Sequence, residues 1–282
     1  MNKLPTAKRT QIINCLVEGM SMRATSRLCD VSINTVTKLF VDLGVACSAY
    51  QAKVMRGLTC KRIQCDEIWA FVGCKEKQAT NAKKAKGQGD CWAWLALDAD
   101  TKLIPAWHIG PRDGNAAYHF MQDLASRLAH RVQLTTDGHR PYLSAVDDAF
   151  GGEIDYAVLN KIYGKPESGP DTRYSPAQCL GARKDVIAGK PDAKHVSTSF
   201  IERANLTMRM GNRRFTRLTN AFSKKLDNHR HSVAIQCMYY NFCKIHTTLR
   251  VTPAMEAGIS DHVWEIADLI ALLDKTEQKN AA

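Results

Sequence analysis

The chain has no apolar run of transmembrane length, no C-x-x-C pair, no internal repeat and no low-complexity tract. The first absence removes a membrane-spanning helix from the expectations. The opening stretch, MNKLPTAKRTQIINCLVEGM, also lacks the uninterrupted apolar segment of a signal peptide, so a cytoplasmic protein is expected. Ten cysteines stand at 15, 29, 47, 60, 65, 74, 91, 179, 237 and 243, none at the spacing of a zinc site, which leaves them as reduced thiols of the core or surface. Acid is the scarcer charge: 28 Asp and Glu face 39 Lys and Arg, giving +11 and a pI near 9.2. That deficit says nothing about fold but favours a polyanionic partner, nucleic acid ahead of membrane.

What is present is an ordinary globular composition. At 282 residues, with 45% hydrophobic and 24% charged side chains, the chain can bury a sizeable core, divided as two modules. In residues 1–55, SMRATSRLCDVSINTVTKLF (21–40) has the rhythm of two short helices joined by a tight turn. Met22, Thr25, Ser26 and Cys29 would face inward on the first, Val31 would plug the turn, and Val36 and Leu39 would anchor the second. Ser32 is placed to cap the second helix, leaving Ile33, Asn34, Thr35 and Lys38 outward, where base edges and phosphates are reached. Asp30 holds the turn position often filled by glycine. A helical hairpin without DNA contact is the plainer alternative; Lys8, Arg9, Arg23 and Arg27 favour DNA. The helical run is expected to fade by Tyr50 into a linker, SAYQAKVMRGLTC.

From Cys60 the period becomes two. KRIQCDEIWAFVG and CWAWLALDADTKLIPAWHIG supply three strands expected to be antiparallel, with a hairpin turn at Asp98–Thr101. NAAYHFMQDLASRLA and YLSAVDDAF read as helices, RVQLTTDGHRPY and IDYAVLNKIYG as strands. The lysine-rich KEKQATNAKKAKGQGD reads as an exposed loop. The order β-β-β-α-β-α-β, followed by helices, describes an α/β fold: an N-terminal helix-turn-helix, then a mixed sheet carrying helices, over residues 60–252.

Three acids stand out on that scaffold. Asp66 lies in the first strand, Asp137 just past the fourth, and Glu202 near the start of a later helix, surrounded by Arg203, Arg209, Arg213, Arg214, Arg217, Lys224 and Lys225. They are 71 and 65 positions apart and can meet only through tertiary folding; carboxylates so brought together would suit a hard cation such as Mg²⁺ or Mn²⁺, two of which can drive an in-line phosphoryl transfer. The basic residues would then position phosphates, with Asn205 and Arg209 on the face of Glu202. Each acid also has a plainer reading. Ser199 and Glu202 form a capping-box pattern, Asp137 in TDG suits a turn, and Glu67 is as good a strand carboxylate as Asp66.

CDEIWAFVGCKEK, TTDGHRPY and SFIERANLTMRMGNRRFTRLTNAFSKK resemble, in order, the catalytic blocks of insertion-sequence-one family transposases, within the DDE transposases and integrases of ribonuclease-H-like core. The resemblance spans Ile63 to Pro253. The T-D-G-x-x-x-Y pattern falls on Asp137, Gly138 and Tyr142, and E-R-x-N-L-x-x-R on Glu202, Arg203, Asn205, Leu206 and Arg209. It implies that Asp66, Asp137 and Glu202 bind the metal ions, and that strand cleavage at transposon ends precedes attack of the freed 3′ hydroxyl on target DNA. Double-stranded DNA is the implied partner and a homodimer or higher oligomer the implied assembly. Cys15, Cys29 and Cys47 do not have the spacing of the Cys-rich finger common ahead of the helix-turn-helix in that family.

A catalytically inactive DNA-binding regulator derived from such a transposase is the alternative. His139, His229 and His231 are set aside as catalytic groups, and Trp92, Trp94 and Trp107 are read as core. HSVAIQCMYYNFCKIH reads as a buried helix closing the catalytic domain, and residues 253–282 as an amphipathic helical tail.

Overall fold

The computed structural model describes residues 3–164, 179–216 and 219–281, so Arg217 lies outside the described residues. Three helices come first: α1 (Thr6–Val17), α2 (Met22–Leu28) and α3 (Ile33–Val54). The last two bend by 116° across their short connection. Local chemistry sets that turn. The hydroxyls of Ser21 and Ser32 accept from the backbone amides of Ala24 and Thr35, each at 3.1 Å, and so satisfy orphan donors at both helix starts. Asp30 takes a φ of 48°, the left-handed conformation that a glycine would adopt more easily. Thr25, Cys29, Val36 and Leu39 are buried, while Met22 and Ser26 are only half covered.

The expected fade at Tyr50 is corrected by the structure: α3 continues to Val54. Its rear half is core, not linker. Leu43, Cys47 and Gln51 are buried, and Gln51 Nε2 donates to the Ala234 carbonyl at 3.0 Å. Tertiary cover of this kind sustains a helix beyond what local propensity predicts. Gly44 permits the approach, since a Cβ there would lie 2.4 Å from His231 Cβ on the helix that crosses it.

The sheet follows from β1 (Arg62–Val72), β2 (Gly89–Asp98), β3 (Trp107–Gly110), β4 (Gln133–Thr136), β5 (Asp155–Tyr163) and β6 (Cys179–Ala188), in spatial order β3-β2-β1-β4-β5-β6. β1, β2 and β3 are antiparallel, β4 and β5 join parallel, and β6 is antiparallel at the edge. This is a ribonuclease-H-like mixed sheet with helices on both faces. The sequence pattern predicts strands only through β5. Nearly every β6 side chain is exposed, so no buried face imposes the alternation by which a strand is recognised. The lysine-rich loop is exposed as expected, though it carries one helical turn, α4 (Asn81–Lys84).

Helices α5 (Gly114–Ala125) and α6 (Pro141–Phe150) bury Phe120 and Tyr142 against Trp94 on one face. On the other, α7 (Ser199–Gly211) and α8 (Leu226–Met238) bury Ile201, Met208, Val233 and Cys237 against Ile68 and Leu95. The α8 helix is covered nearly all round, and its Ala234, Ile235 and Met238 join the core that runs from Ile12 and Leu43 to the sheet. After α9 (Pro253–Glu256), α10 (Ile266–Ala281) adds Leu269 and Ile270 to that same core, and Asp274 accepts from Arg9 at 3.0 Å. Among the described residues no single helix is long and apolar enough to cross a membrane.

Candidate metal centre and nucleic-acid interface

Register brings the first two acids together. Cys65 of β1 is the parallel partner of Thr136 of β4, so the residues that follow, Asp66 and Asp137, are side by side. Together with Glu67 they offer carboxylate oxygens within 4.8 Å of one another. Asp66 and Asp137 line a cleft of about 650 Å³ with Glu202, Arg112, Arg140, His139 and Lys161.

Asp66 is held on both oxygens, accepting from the Glu67 amide and from Asn205 Nδ2, each at 2.8 Å. Burial pushes its carboxyl up to about 6; the Glu67 amide opposes this, while the negative charges of Asp137 and Glu202 add to it. Glu67 points to the other face of β1. Its side chain is 1% exposed and accepts from Arg112 Nε at 3.0 Å. Burial pushes this carboxyl up to about 7, against the pull of the Tyr142 hydroxyl. Protons therefore compete for this cluster, and a cation placed among the oxygens would reverse that preference.

Asp137 serves two readings at once. Its Oδ1 accepts from the His139 amide at 3.0 Å, forming the turn, while Oδ2 accepts from Arg112 Nη2 at 3.4 Å. A Cβ on Gly138 would fall 2.1 Å from Asn160 Oδ1, so that side chain would have to move to admit one.

Glu202 arrives by helix docking. The buried Gln64 side chain of β1 accepts from the amides of Phe200 and Ile201 at 3.0 and 3.1 Å, pinning the start of α7 to the strand that carries Asp66. The capping-box reading is corrected here. Thr198, not Ser199, is the N-cap, and Ser199 instead receives the Ser197 hydroxyl. Glu202 faces the cleft, where the Thr198 hydroxyl donates to Oε1 and Lys161 Nζ reaches both oxygens, all at 2.5 Å. Glu202 thus lines the cleft but stands outside the close group of Asp66, Glu67 and Asp137.

Lys161, Arg112 and Thr198 were missed in the sequence reading. The only signals were a lone lysine ending an apolar strand in IDYAVLNKIYG and an arginine in the loop after β3.

The DNA-contact candidates fall into two groups. Asn34, Lys38, Arg203 and Lys224 are exposed, with Lys38 paired to Asp42 and Lys224 over the Phe222 ring; Thr35, Arg209 and Arg213 are half-buried. Asn205 and Arg214 depart from the expected surface role. Asn205 is buried and spends its Nδ2 on Asp66. Arg214 stacks over Phe40 of α3 at 4.6 Å and donates to Ser223 at 3.2 Å, and burial lowers its pKa to about 10. It ties the N-terminal helices to the rest of the chain. His229 beside it is fully buried and its pKa falls to about 3, mainly through burial. All ten cysteines are free.

No protein-family model matches the chain, and no curated protein matches it. Among solved structures it is similar to the Mos1 strand transfer complex, with 12% identity over 84% of this chain and 79% of that one and a TM-score of 0.24. A score that low bears on neither fold nor function, which rest on the strand order and the cleft.

Proposed function

We propose that the chain is a DNA transposase of the insertion-sequence-one kind, a polynucleotidyl transferase that cuts DNA at an element's ends and joins the freed 3′ hydroxyl to target DNA. The observation that carries this reading is the β1–β4 register, which sets Asp66 beside Asp137 in a cleft that Glu202 enters from α7. The donors fit a hard divalent cation, being carboxylates throughout, with the buried Asn205 Oδ1 lacking a protein partner beside them. Asp66, Asp137 and Glu202 would hold Mg²⁺ or Mn²⁺, as two ions. When bound, the metal supplies Lewis acidity and lowers the pKa of the attacking hydroxyl.

The protein's own groups do the rest. Asn205 orients Asp66, and Gln64 sets the depth at which α7 delivers Glu202. Arg112, Arg140 and Lys161 bring positive charge to the cleft, where phosphate oxygens would lie. Arg203, Arg213 and Lys224 would hold the duplex backbone, and Asn34, Thr35 and Lys38 would meet it through the N-terminal module. On this reading residues 1–55 recognise double-stranded DNA, 60–252 carry the chemistry and 253–282 brace the N-terminal helices. Two copies would pair the two ends, in the cytoplasm.

The test is strand cleavage and joining on labelled DNA bearing the element's ends, in Mg²⁺ or Mn²⁺, with wild type beside Glu202→Gln. Wild type is expected to cut and join, and the variant to bind DNA but do neither. If both bind equally and neither reacts with either metal, the chain is a DNA-binding regulator instead.

A further inference from the structure

Glu202 already has a cation. The ammonium of Lys161 lies 2.5 Å from each carboxylate oxygen, in the cleft that Asp66 and Asp137 share. The position of Lys161 is set by backbone and packing. Its strand, β5, is laddered to β4 as far as Val158 and to β6 beyond it, with Lys161 opposite Ala182 of β6. Ala157 and Leu159, on the same side of β5, bury against Val196, just ahead of α7, and Lys161 continues that row toward Glu202. The pair is only partly open to water, with the two side chains 31% and 40% exposed. A carboxylate gripped through both oxygens is a poor ligand for a second cation, because the two positive charges would repel at close range.

We propose that Lys161 is the counter-ion that Glu202 exchanges for a divalent metal. It holds the third carboxylate ready while the cleft lacks metal, competes with the ion for it, and once displaced leaves its ammonium in the cleft for a phosphate oxygen. Lys161 is in this sense a positioning residue for the reaction proposed above, and the inference rests on that reading. Its two roles have opposite signs: removing the charge favours metal and disfavours DNA. A lysine that merely braced the fold would not divide the effects in this way.

The experiment is calorimetric titration of Mn²⁺ into the DNA-free protein, with the free-ion spin-resonance signal as an independent count. It compares wild type, Lys161→Gln, Glu202→Gln and the double variant, each checked for folding by its melting curve. Lys161→Gln is expected to bind Mn²⁺ on the order of tenfold more tightly, Glu202→Gln more weakly, and the double variant to show none of the Lys161→Gln gain. At saturating Mn²⁺, Lys161→Gln should bind a DNA duplex more weakly than wild type. Lys161→Met, which keeps the stem without the charge, replaces Lys161→Gln should that variant fail to fold. Unchanged or weaker Mn²⁺ binding by the neutral variant, or a gain that persists without the Glu202 carboxylate, overturns the proposal. If wild type itself takes up no Mn²⁺, the functional reading falls and takes this one with it; if wild type binds and only the gain is missing, the functional reading stands.

Discussion

On the strand flank of the cleft, Asp66 and Asp137 are neighbours because the backbones of β1 and β4 are hydrogen-bonded in parallel register. On the helix flank, Glu202 reaches the same space through side chains: Gln64 pins the helix start, Thr198 and Lys161 hold the carboxylate, and apolar packing of Ile201 and Met208 seats α7 on the sheet. A ladder fixes its residues within a fraction of an ångström, and changing one side chain does not move it. A docked helix is only as well placed as the few groups beneath it. The strand flank should therefore respond to substitution through chemistry alone, and the helix flank through chemistry and geometry together.

The sharpest break of that contrast comes from the acids. Asp137→Asn should lower strand cleavage by about a thousandfold or more, as expected when several kcal/mol of metal-borne stabilisation is lost. Its melting temperature and DNA affinity should stay close to wild type, as single-turnover assays beside thermal melts and duplex titrations will show.

Acid should loosen the helix flank first. His229 is buried against the segment that follows α7, in contact with Phe215 and Ser223, and stays neutral down to about pH 3, while the unfolded chain takes up its proton near 6.5. Between those values the unfolded state binds the extra proton, so stability is present above pH 6.5 and is lost as pH falls toward 3. The loss is on the order of 1 kcal/mol per pH unit. Urea midpoints from pH 7 to 4 should drop more steeply for wild type than for His229→Gln, whose own stability at pH 7 will be lower.

Gln64→Ala tests the geometry alone. It strips two helix-start amides of their acceptor, which should cost about 1–3 kcal/mol in denaturant unfolding. It should also slow cleavage with Asp66 and Asp137 intact. Unchanged cleavage in a destabilised protein would show that Glu202 does not depend on this anchor.

The smallest effect separates the charges outside the cleft. Arg203→Ala should reduce the slope of log affinity for DNA against log salt by about one. Arg131→Ala should leave it unchanged, since Arg131 is committed to Asp155 at 2.9 Å at the opposite end of β4.

Much of this is legible in the sequence. The turn between α2 and α3 was legible because its determinants are local: Ser32 caps the helix and Asp30 tolerates the left-handed backbone. β1 through β5, α5 and α6 were legible from apolar runs and periodicity bounded by turn residues, since the side chains they bury are mostly apolar. β6 was not, for want of a buried face, and the true length of α3 was not, because the cover over Gln51 comes from Ala234, far along the chain. Arg214 was misplaced for a related reason. A guanidinium reads as surface until a ring such as Phe40 and an acceptor such as Ser223 are brought to it.

The sequence by itself determined most of the elements, the capped turn between α2 and α3 and the acidic residues worth watching, because periodicity, capping and residue chemistry act over a few neighbours. Only the tertiary structure decided which acids meet and which cations oppose them. Asp66 beside Asp137, Arg112 against Glu67 and Lys161 on Glu202 join residues tens of positions apart. Such pairings are products of strand register and helix docking, and a long-range contact leaves no local signature in either partner's surroundings.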